Sequence, residues 1–290
     1  MPAIAFHVPG VEVHTIRSKY VDQTYQVQVM QPVQRAGERE RFPTLYVSDA
    51  NLSFDFAKSI SLSLQVSGQV RPFMLIGIGY PGDNPFVGQI LRYRDFTSHY
   101  RAQTSVAPHA PTFAGVPEIE SGKKRWGGAA DFLAFVRHEL IPFIDDRYPS
   151  APNDRAYAGH SLGGGLGLHT LFSQSDLFSR YILTSPSIAY DNDDYGIREA
   201  QEFIASGRPL NAQVLLGVGE LEELDPVAGV AKPRFVSSCC RLAALLNQAR
   251  IPGLELTCRV YSGETHASVW PVAFSRAVRS LYRAAGQSTV

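Results

Sequence analysis

Three absences in the 290-residue sequence limit the class of protein that it encodes. Only three cysteines occur, an odd and small number that argues against a disulfide framework and predicts a reducing, cytoplasmic location. The 27 lysines and arginines equal the 27 aspartates and glutamates, so the chain lacks the basic excess of a typical nucleic-acid-binding protein. No apolar run reaches the roughly 18 residues of a membrane span, and no basic stretch followed by an apolar block opens the chain. We therefore expect neither nucleic acid nor membrane as a partner.

Motifs for metals and common cofactors are also missing. The sequence contains no H-E-x-x-H and no paired C-x-x-C, the spacings that would predict a zinc site. The glycine-rich run at 163–167 lacks both the lysine of a phosphate-binding loop and the spacing of a dinucleotide fingerprint. We therefore predict no metal site and no cofactor.

The hydrophobic pattern predicts an α/β fold. Residues 11–16 and 24–30 alternate apolar and polar side chains, which is typical of two antiparallel strands, and the polar stretch 34–41 suits a hairpin loop. From Pro43 onward, short apolar runs alternate with helical patterns, which predicts a mostly parallel sheet with helices on both faces. The predicted strands are 43–47, 73–78, 155–159, 181–185, 214–218 and 254–261, and the predicted helices are 53–66, 132–144, 162–173, 199–205, 234–249 and 272–283.

One long segment interrupts this alternation. Residues 83–128 have poor periodicity and many prolines and glycines, yet they keep several aromatic side chains. We therefore predict an ordered segment that shapes a substrate pocket. Its six positive charges exceed its four negative ones, which favours an anionic substrate, although pairing of Arg94 with Asp95 is the structural alternative. Because no repeat, linker or change of composition divides the chain, we expect a single domain over residues 1–290.

The sequence Gly159-His160-Ser161-Leu162-Gly163 matches the G-x-S-x-G pattern. An apolar strand runs into it and helix-forming residues run out of it, which is the setting of the nucleophile elbow in α/β-hydrolases. Small neighbours let strand and helix pass closely, while the serine hydroxyl projects at the helix N-terminus. This context predicts Ser161 as a nucleophile and the N–H of Leu162 as one oxyanion donor.

A serine nucleophile needs a base, an orienting acid and a second oxyanion donor. Beyond Ser161 the candidate bases are His169, which spacing directs away from the elbow, and His266, which lies in a loop after a strand. The acid should follow the strand at 214–218, where four carboxylates stand close together: Glu220, Glu222, Glu223 and Asp225. Topology places the second donor in the turn after the first parallel strand, at Asn51.

The sequence resembles the putative-esterase family of α/β-hydrolases, which includes esterase D and the enterochelin-type siderophore esterases. The matching pieces follow family order at 42–51, 76–80, 94–97, 159–164, 219–222 and 263–266. The resemblance implies Ser161 as nucleophile, His266 as base and Glu222 as acid, with a Ser–His dyad as the alternative. The matching pieces also contain Tyr80, Arg94 and His160, which we predict to contact the substrate.

These observations predict a serine hydrolase that cleaves a small-molecule carboxylic ester through an acyl-serine intermediate. The resemblance favours a siderophore-type ester or lactone. Two alternatives stay open: an acyltransferase with the same triad, and a non-catalytic binding protein on the same fold.

Overall fold

The computed structural model describes residues 10–33, 41–82, 85–98, 126–188, 194–223 and 234–284. Its eight strands form one sheet in the order β1-β2-β4-β3-β5-β6-β7-β8. The strands are β1 Val11–Arg17, β2 Thr24–Met30, β3 Phe42–Val47, β4 Met74–Gly79, β5 Ser150–His160, β6 Arg180–Thr184, β7 Ala212–Gly219 and β8 Leu254–Tyr261. A single continuous sheet fits the single domain predicted from the sequence.

The sheet is parallel except at one edge. β1 pairs with β2 and β2 pairs with β4 in antiparallel fashion, whereas the pairs from β4 through β3 to β8 are parallel. The prediction of a mostly parallel sheet with an antiparallel N-terminal pair is therefore confirmed. The hairpin predicted at 34–41 is wrong in topology, because β4 lies between β2 and β3 and the connection must cross it. Residues 34–40 themselves lie outside the described residues.

Helices cover both faces of the sheet. They are α1 Ala50–Val66, α2 Pro85–Asp95, α3 Ala129–Phe135, α4 Ile141–Arg147, α5 Leu162–Ser173, α6 Tyr195–Ala205, α7 Phe235–Ala249 and α8 Val269–Leu281. On one face, α1 and α8 bury apolar side chains that include Phe54 and Phe274. On the other, α2 to α7 build the larger core. Among the described residues, no helix is both long and apolar enough to cross a bilayer.

Two features depart from the sequence prediction. The first is α2, which begins at Pro85 inside the segment that we expected to be irregular. The second is a π-helical turn, Val136–Leu140, that joins α3 to α4. The N–H of Ile141 donates to the carbonyl of Val136, five residues back. This wider turn stands directly before Pro142, whose ring cannot fit against an ordinary helical turn and which has no N–H to donate.

The carboxyl ends of three neighbouring strands carry unusual backbone angles. Asp49 after β3, Ser161 after β5 and Ser185 after β6 have φ values of 55°, 59° and 43°. Non-glycine residues seldom adopt positive φ, and strained backbone of this kind gathers at functional sites. The described structure thus points to this edge of the sheet as the place of the site.

Candidate active site

The elbow at Ser161 is held by contacts that leave no room for side chains. Ser161 has φ 59° and ψ −118° and lies between the end of β5 and the start of α5. A Cβ at Gly159 would lie 2.4 Å from the carbonyl oxygen of Gly163, and one at Gly163 would lie 2.5 Å from Ser48 Oγ. Glycine at 159 therefore lets β5 and α5 pass so closely, and glycine at 163 leaves room for the side chain of Ser48.

The two predicted oxyanion donors lie at the starts of two helices. Leu162 is the first residue of α5 and Asn51 the second of α1, and the first N–H groups of a helix have no acceptor within it. The side chain of Asn51 is engaged elsewhere: its Nδ2 donates to the carbonyl of Tyr80 at 2.7 Å, and its Oδ1 accepts from the N–H of Tyr80 at 2.7 Å. This pair of bonds ties the start of α1 to the end of β4, so the backbone of Asn51 is fixed while its own N–H still faces outward from the helix end.

Glu222 and His266 are in direct contact. A short 3₁₀ turn, Glu220–Glu223, follows β7, and it buries Glu222 completely. Glu222 Oε2 lies 2.6 Å from His266 Nδ1, and Oε1 accepts from the N–H of Gly219 and from Ser185 Oγ, each at 2.6 Å. Both carboxylate oxygens of Glu222 thus have hydrogen-bond partners. The carboxylate lies within hydrogen-bond distance of the His266 ring, as an orienting acid must.

The neighbouring carboxylates have separate partners. Glu220 Oε2 accepts from Ser262 Oγ and from the N–H of Gly263, and these two bonds lower the pKa of Glu220. Glu223 accepts from the N–H and the hydroxyl of Ser237 at the start of α7. Asp225, the fourth candidate, lies outside the described residues. Among the described residues, no three His, Cys, Asp or Glu side chains are grouped so that they could hold a metal.

Aromatic rings pack against the ring of His266. Its centroid lies 4.4 Å from that of His160 and 4.7 Å from that of Phe235. His160 in turn stacks on Trp270, whose Nε1 donates to Ser53 Oγ at 3.0 Å. Burial, and then the neighbouring His266 and Arg92, hold the pKa of His160 well below its ordinary value. A neutral His160 therefore joins His266 to the elbow, whereas the sequence predicted a substrate contact for it.

Two other residues predicted to contact substrate have their polar groups occupied within the protein. Tyr80 and Tyr25 each donate a hydroxyl to Asp95 Oδ2 at 2.7 Å. Arg94 donates through Nε to Asp95 Oδ1 at 2.6 Å and through Nη2 to Oδ2 at 3.1 Å. All four side chains are buried. The structural alternative, pairing of Arg94 with Asp95, is what the structure shows, and it gives no support to substrate contacts by Tyr80 or Arg94.

The sequence analysis missed the role of a buried arginine, Arg92 on α2. Its Nη2 donates to Asp49 Oδ2 at 2.9 Å and to the carbonyl of His160 at 3.1 Å. The positive excess predicted for residues 83–128 is thus reduced, because the buried Asp49, which lies outside that segment, pairs with Arg92. The other four positive residues of that segment, Arg101, Lys123, Lys124 and Arg125, lie outside the described residues.

The sheet order, the helices on both faces and the strained serine between a strand and a helix define an α/β-hydrolase. Within that class the chain belongs to the family described as "Putative esterase", whose model matches residues 18–281. The protein is therefore a carboxylic ester hydrolase, as the sequence predicted.

Relatives of known name agree with this assignment. The chain is 32% identical to the ferri-bacillibactin esterase BesA of Bacillus subtilis over 285 residues, which cover 95% of this chain and 90% of that protein. It is 26% identical to the siderophore triacetylfusarinine C esterase of Aspergillus fumigatus, over 89% of this chain and 88% of that protein. Among solved structures, the BES protein of Bacillus cereus superposes with a TM-score of 0.78 at 27% identity, covering 97% of this chain and 99% of that one.

Proposed function

We propose that Ser161, His266 and Glu222 form the catalytic triad of this esterase. The observation that carries the proposal is the 2.6 Å contact between the buried Glu222 and His266 Nδ1. The proposal is supported by the ring contact between His266 and His160, the residue that directly precedes Ser161. A dyad without an acid is disfavoured by this arrangement, since Glu222 has every requirement of an orienting carboxylate.

From the hydrogen bonds of Glu222 we also infer which ring nitrogen of His266 carries the hydrogen. Oε1 already receives two donors, and an ionised carboxylate only accepts. His266 Nδ1 therefore carries the hydrogen and donates it to Oε2, which leaves Nε2 unprotonated. In this tautomer Nε2 is the base that takes the proton of Ser161 and later returns it to the leaving alcohol.

The oxyanion of the tetrahedral intermediate would be held by backbone donors. Leu162 supplies one N–H at the start of α5, and Asn51 supplies the other at the start of α1. Both helix N-termini favour developing negative charge, and preorganised donors are often the largest contribution to such catalysis. Water activated by His266 then releases the acid from the acyl-serine.

For the substrate we propose an ester bond of a siderophore. The support is the naming of its relatives, above all a ferri-bacillibactin esterase that is 32% identical over nearly the whole chain. The residues proposed to shape the pocket, 83–128, lie in part outside the described residues, so the acyl and alcohol sites are not assigned to side chains. We also propose a cytoplasmic location, which the three unpaired cysteines support: Cys239, Cys240 and Cys258.

Ser161→Ala tests the mechanism directly. We expect hydrolysis of a chromogenic ester to fall about 10⁴-fold or more, because only binding and oxyanion contributions would remain. Ser63→Ala, at an exposed position of α1, is the matched control and should retain full activity. Full activity in the Ser161 variant would overturn the assignment.

A substrate panel tests the proposed class. We expect cyclic and linear siderophore esters to have higher kcat/KM values than neutral aliphatic and aryl esters. A preference for neutral esters would instead define a general carboxylesterase. Adding alcohols during turnover tests the acyltransferase alternative, since transfer would give a new ester in place of the free acid.

A further inference from the structure

The two proposed oxyanion donors stand on turns that are distant in sequence. The turn after β3 leads to Asn51, and the turn after β5 leads to Leu162. An oxyanion hole works only if both donors lie within about 2.7–3.1 Å of the same oxygen, so the separation of the two turns must be fixed by contacts between them.

The sheet supplies part of that fixation. β3 and β5 are parallel neighbours whose last paired residues are Val47 and Ala158. One step further, the N–H of Ser48 still donates to the carbonyl of Ala158 at 3.1 Å. Beyond this bond the two chains turn into their helices, and the regular ladder of the sheet ends.

Arg92 reaches the two turns from a third element, α2. Its Nη2 donates both to Asp49 Oδ2 and to the carbonyl of His160, and its Nε lies 2.9 Å from Asp49 Oδ1. Asp49 directly precedes α1, and His160 directly precedes Ser161. A single guanidinium therefore contacts Asp49, two residues before the donor Asn51, and His160, two residues before the donor Leu162.

The setting makes these contacts strong and rigid. Arg92 is 7% exposed and lies near the ring of Phe96, and Asp49 is also buried. Both hydrogen bonds come from the same nitrogen, Nη2, which the planar guanidinium holds in a fixed position, whereas lysine offers a single flexible point charge. Breaking a buried ion pair also leaves an uncompensated charge, so neither partner is free to move away.

We propose that Arg92 is a positioning residue that sets the distance between the Leu162 and Asn51 N–H groups by bridging Asp49 and the His160 carbonyl. The proposal rests on the triad and oxyanion assignments above. It adds that α2, which contributes no proposed catalytic group, determines how well the tetrahedral intermediate is held.

Arg94 offers a matched control on the same helix. It is 8% exposed and forms an ion pair at 2.6 Å, against 2.9 Å for Arg92 and Asp49, but its partner is the adjacent Asp95. Its described contacts reach Asp95 and Gln23, away from both turns. Loss of either arginine removes one buried charge from α2, but only Arg92 donates directly to the two turns that carry the proposed oxyanion donors.

The test compares Arg92→Met with Arg94→Met in the full chain. For each variant we would measure kcat and KM for an ester, the inhibition constant of a boronic acid that forms a tetrahedral adduct on a serine nucleophile, and the melting temperature. For Arg92→Met we expect kcat to fall about 10- to 100-fold and boronic acid affinity to fall in parallel, with KM changed less than about 3-fold, since only the tetrahedral state uses both donors. For Arg94→Met we expect a similar loss of melting temperature but smaller losses of kcat and inhibitor affinity than for Arg92→Met, because Arg94 contacts neither turn directly.

Two further variants keep the proposal falsifiable. Asp49→Asn breaks the same pair from the other side and should reproduce the split between kcat and KM, and Arg92→Lys should lie between Arg92→Met and the wild type. Equal losses in the Arg92 and Arg94 variants, or unchanged inhibitor affinity in Arg92→Met, would overturn the proposal. Boronic acid binding that survives Ser161→Ala would instead overturn the proposed nucleophile, so the two failures are distinguishable.

Discussion

The two sides of the active site are held together by different means. On the oxyanion side, at the ends of β3 and β5, the backbone itself is strained: Asp49 and Ser161 have positive φ, and a Cβ at Gly159 would meet a backbone oxygen at 2.4 Å, as a Cβ at Gly219 would at the end of β7. On the acid–base side, at the ends of β7 and β8, hydrogen bonds made by side chains hold the groups in position. There Glu222 accepts hydrogen bonds from the Gly219 N–H and the Ser185 hydroxyl, and Glu220 accepts from the Gly263 N–H and the Ser262 hydroxyl. These bonds also fix the turns.

The difference follows from what each side must position. Oxyanion donors are backbone N–H groups, so they can be aimed only by fixing the chain. A general base is a side chain on a loop, and hydrogen bonds to its second ring nitrogen are enough to orient it. Substitutions that disturb the backbone on the oxyanion side should therefore lower the free energy of unfolding. Substitutions of the orienting side chains on the acid–base side should lower activity while the fold remains.

Apart from loss of the nucleophile itself, the largest effect is expected on the acid–base side, from Glu222→Gln. The Gln carbonyl would stay with Gly219 and Ser185, which both donate, and its NH₂ would then face His266 Nδ1. That forces the hydrogen of His266 onto Nε2, the wrong tautomer for a base, so we expect kcat to fall about 10³- to 10⁴-fold. Steady-state kinetics and urea unfolding measured on the same preparation would separate activity from stability.

Glu220→Gln is the matched control for this change. Its carboxylate is exposed and pins Ser262 and Gly263, so a neutral amide should lower kcat by less than about 3-fold. If Glu222→Gln stayed within tenfold of the wild type, the enzyme would work as a Ser–His dyad. If both variants lost activity equally, the assignment of roles among the glutamates would be wrong.

The next largest effect is on stability, from Gly159→Ala on the oxyanion side. The added Cβ would meet a backbone oxygen at 2.4 Å, so strand and helix must separate and the free energy of unfolding should fall by about 1–3 kcal/mol or more. Gly217→Ala on β7 is the comparison, since its Cβ would meet ring and methyl carbons of Tyr261 and Ala273 no nearer than 3.1 Å. Denaturant unfolding that showed equal losses for the two variants would remove the distinction between the two sides.

The smallest effect concerns His160, which joins the two sides. Its pKa is lowered in the folded protein, so below about pH 6.5 the unfolded chain takes up a proton that the folded protein does not. Wild-type stability should therefore fall between pH 7 and pH 5 relative to His160→Phe, by at most about 1.4 kcal/mol per pH unit. The exposed His138→Asn variant is the control. A constant difference between His160→Phe and the wild type across this range would contradict a neutral, buried His160.

Much of the fold could be predicted because its signals are local. Alternating side chains marked β1 and β2, and apolar runs between turns marked the parallel strands. The helix α2 was missed even though Asn84 before Pro85 is a known helix-start signal, because the low periodicity of the whole segment was given more weight. The hairpin at 34–41 failed for another reason: the neighbour of a strand is decided by packing between distant segments, which local sequence does not report.

The candidate site likewise has residues that local sequence could predict and residues that it could not. The elbow is a contiguous motif, and His266 was left by elimination, so both could be proposed from sequence. Choosing Glu222 among its neighbours needed the resemblance, since the 3₁₀ turn that buries it is not visible in four clustered acidic residues. Arg92 carries no signal of its own, because its partners lie 43 and 68 residues away.

The position of β8 at the far edge of the sheet has a consequence for biosynthesis. The elbow and the oxyanion turns are complete once β6 pairs with β5, whereas His266 follows β8, which docks only on β7. Translation proceeds from the N-terminus, and long-range parallel pairing is slow. A nascent chain that has emerged only as far as β7 lacks His266, the proposed base, so the proposed mechanism predicts no esterase activity before β8 and α8 are made.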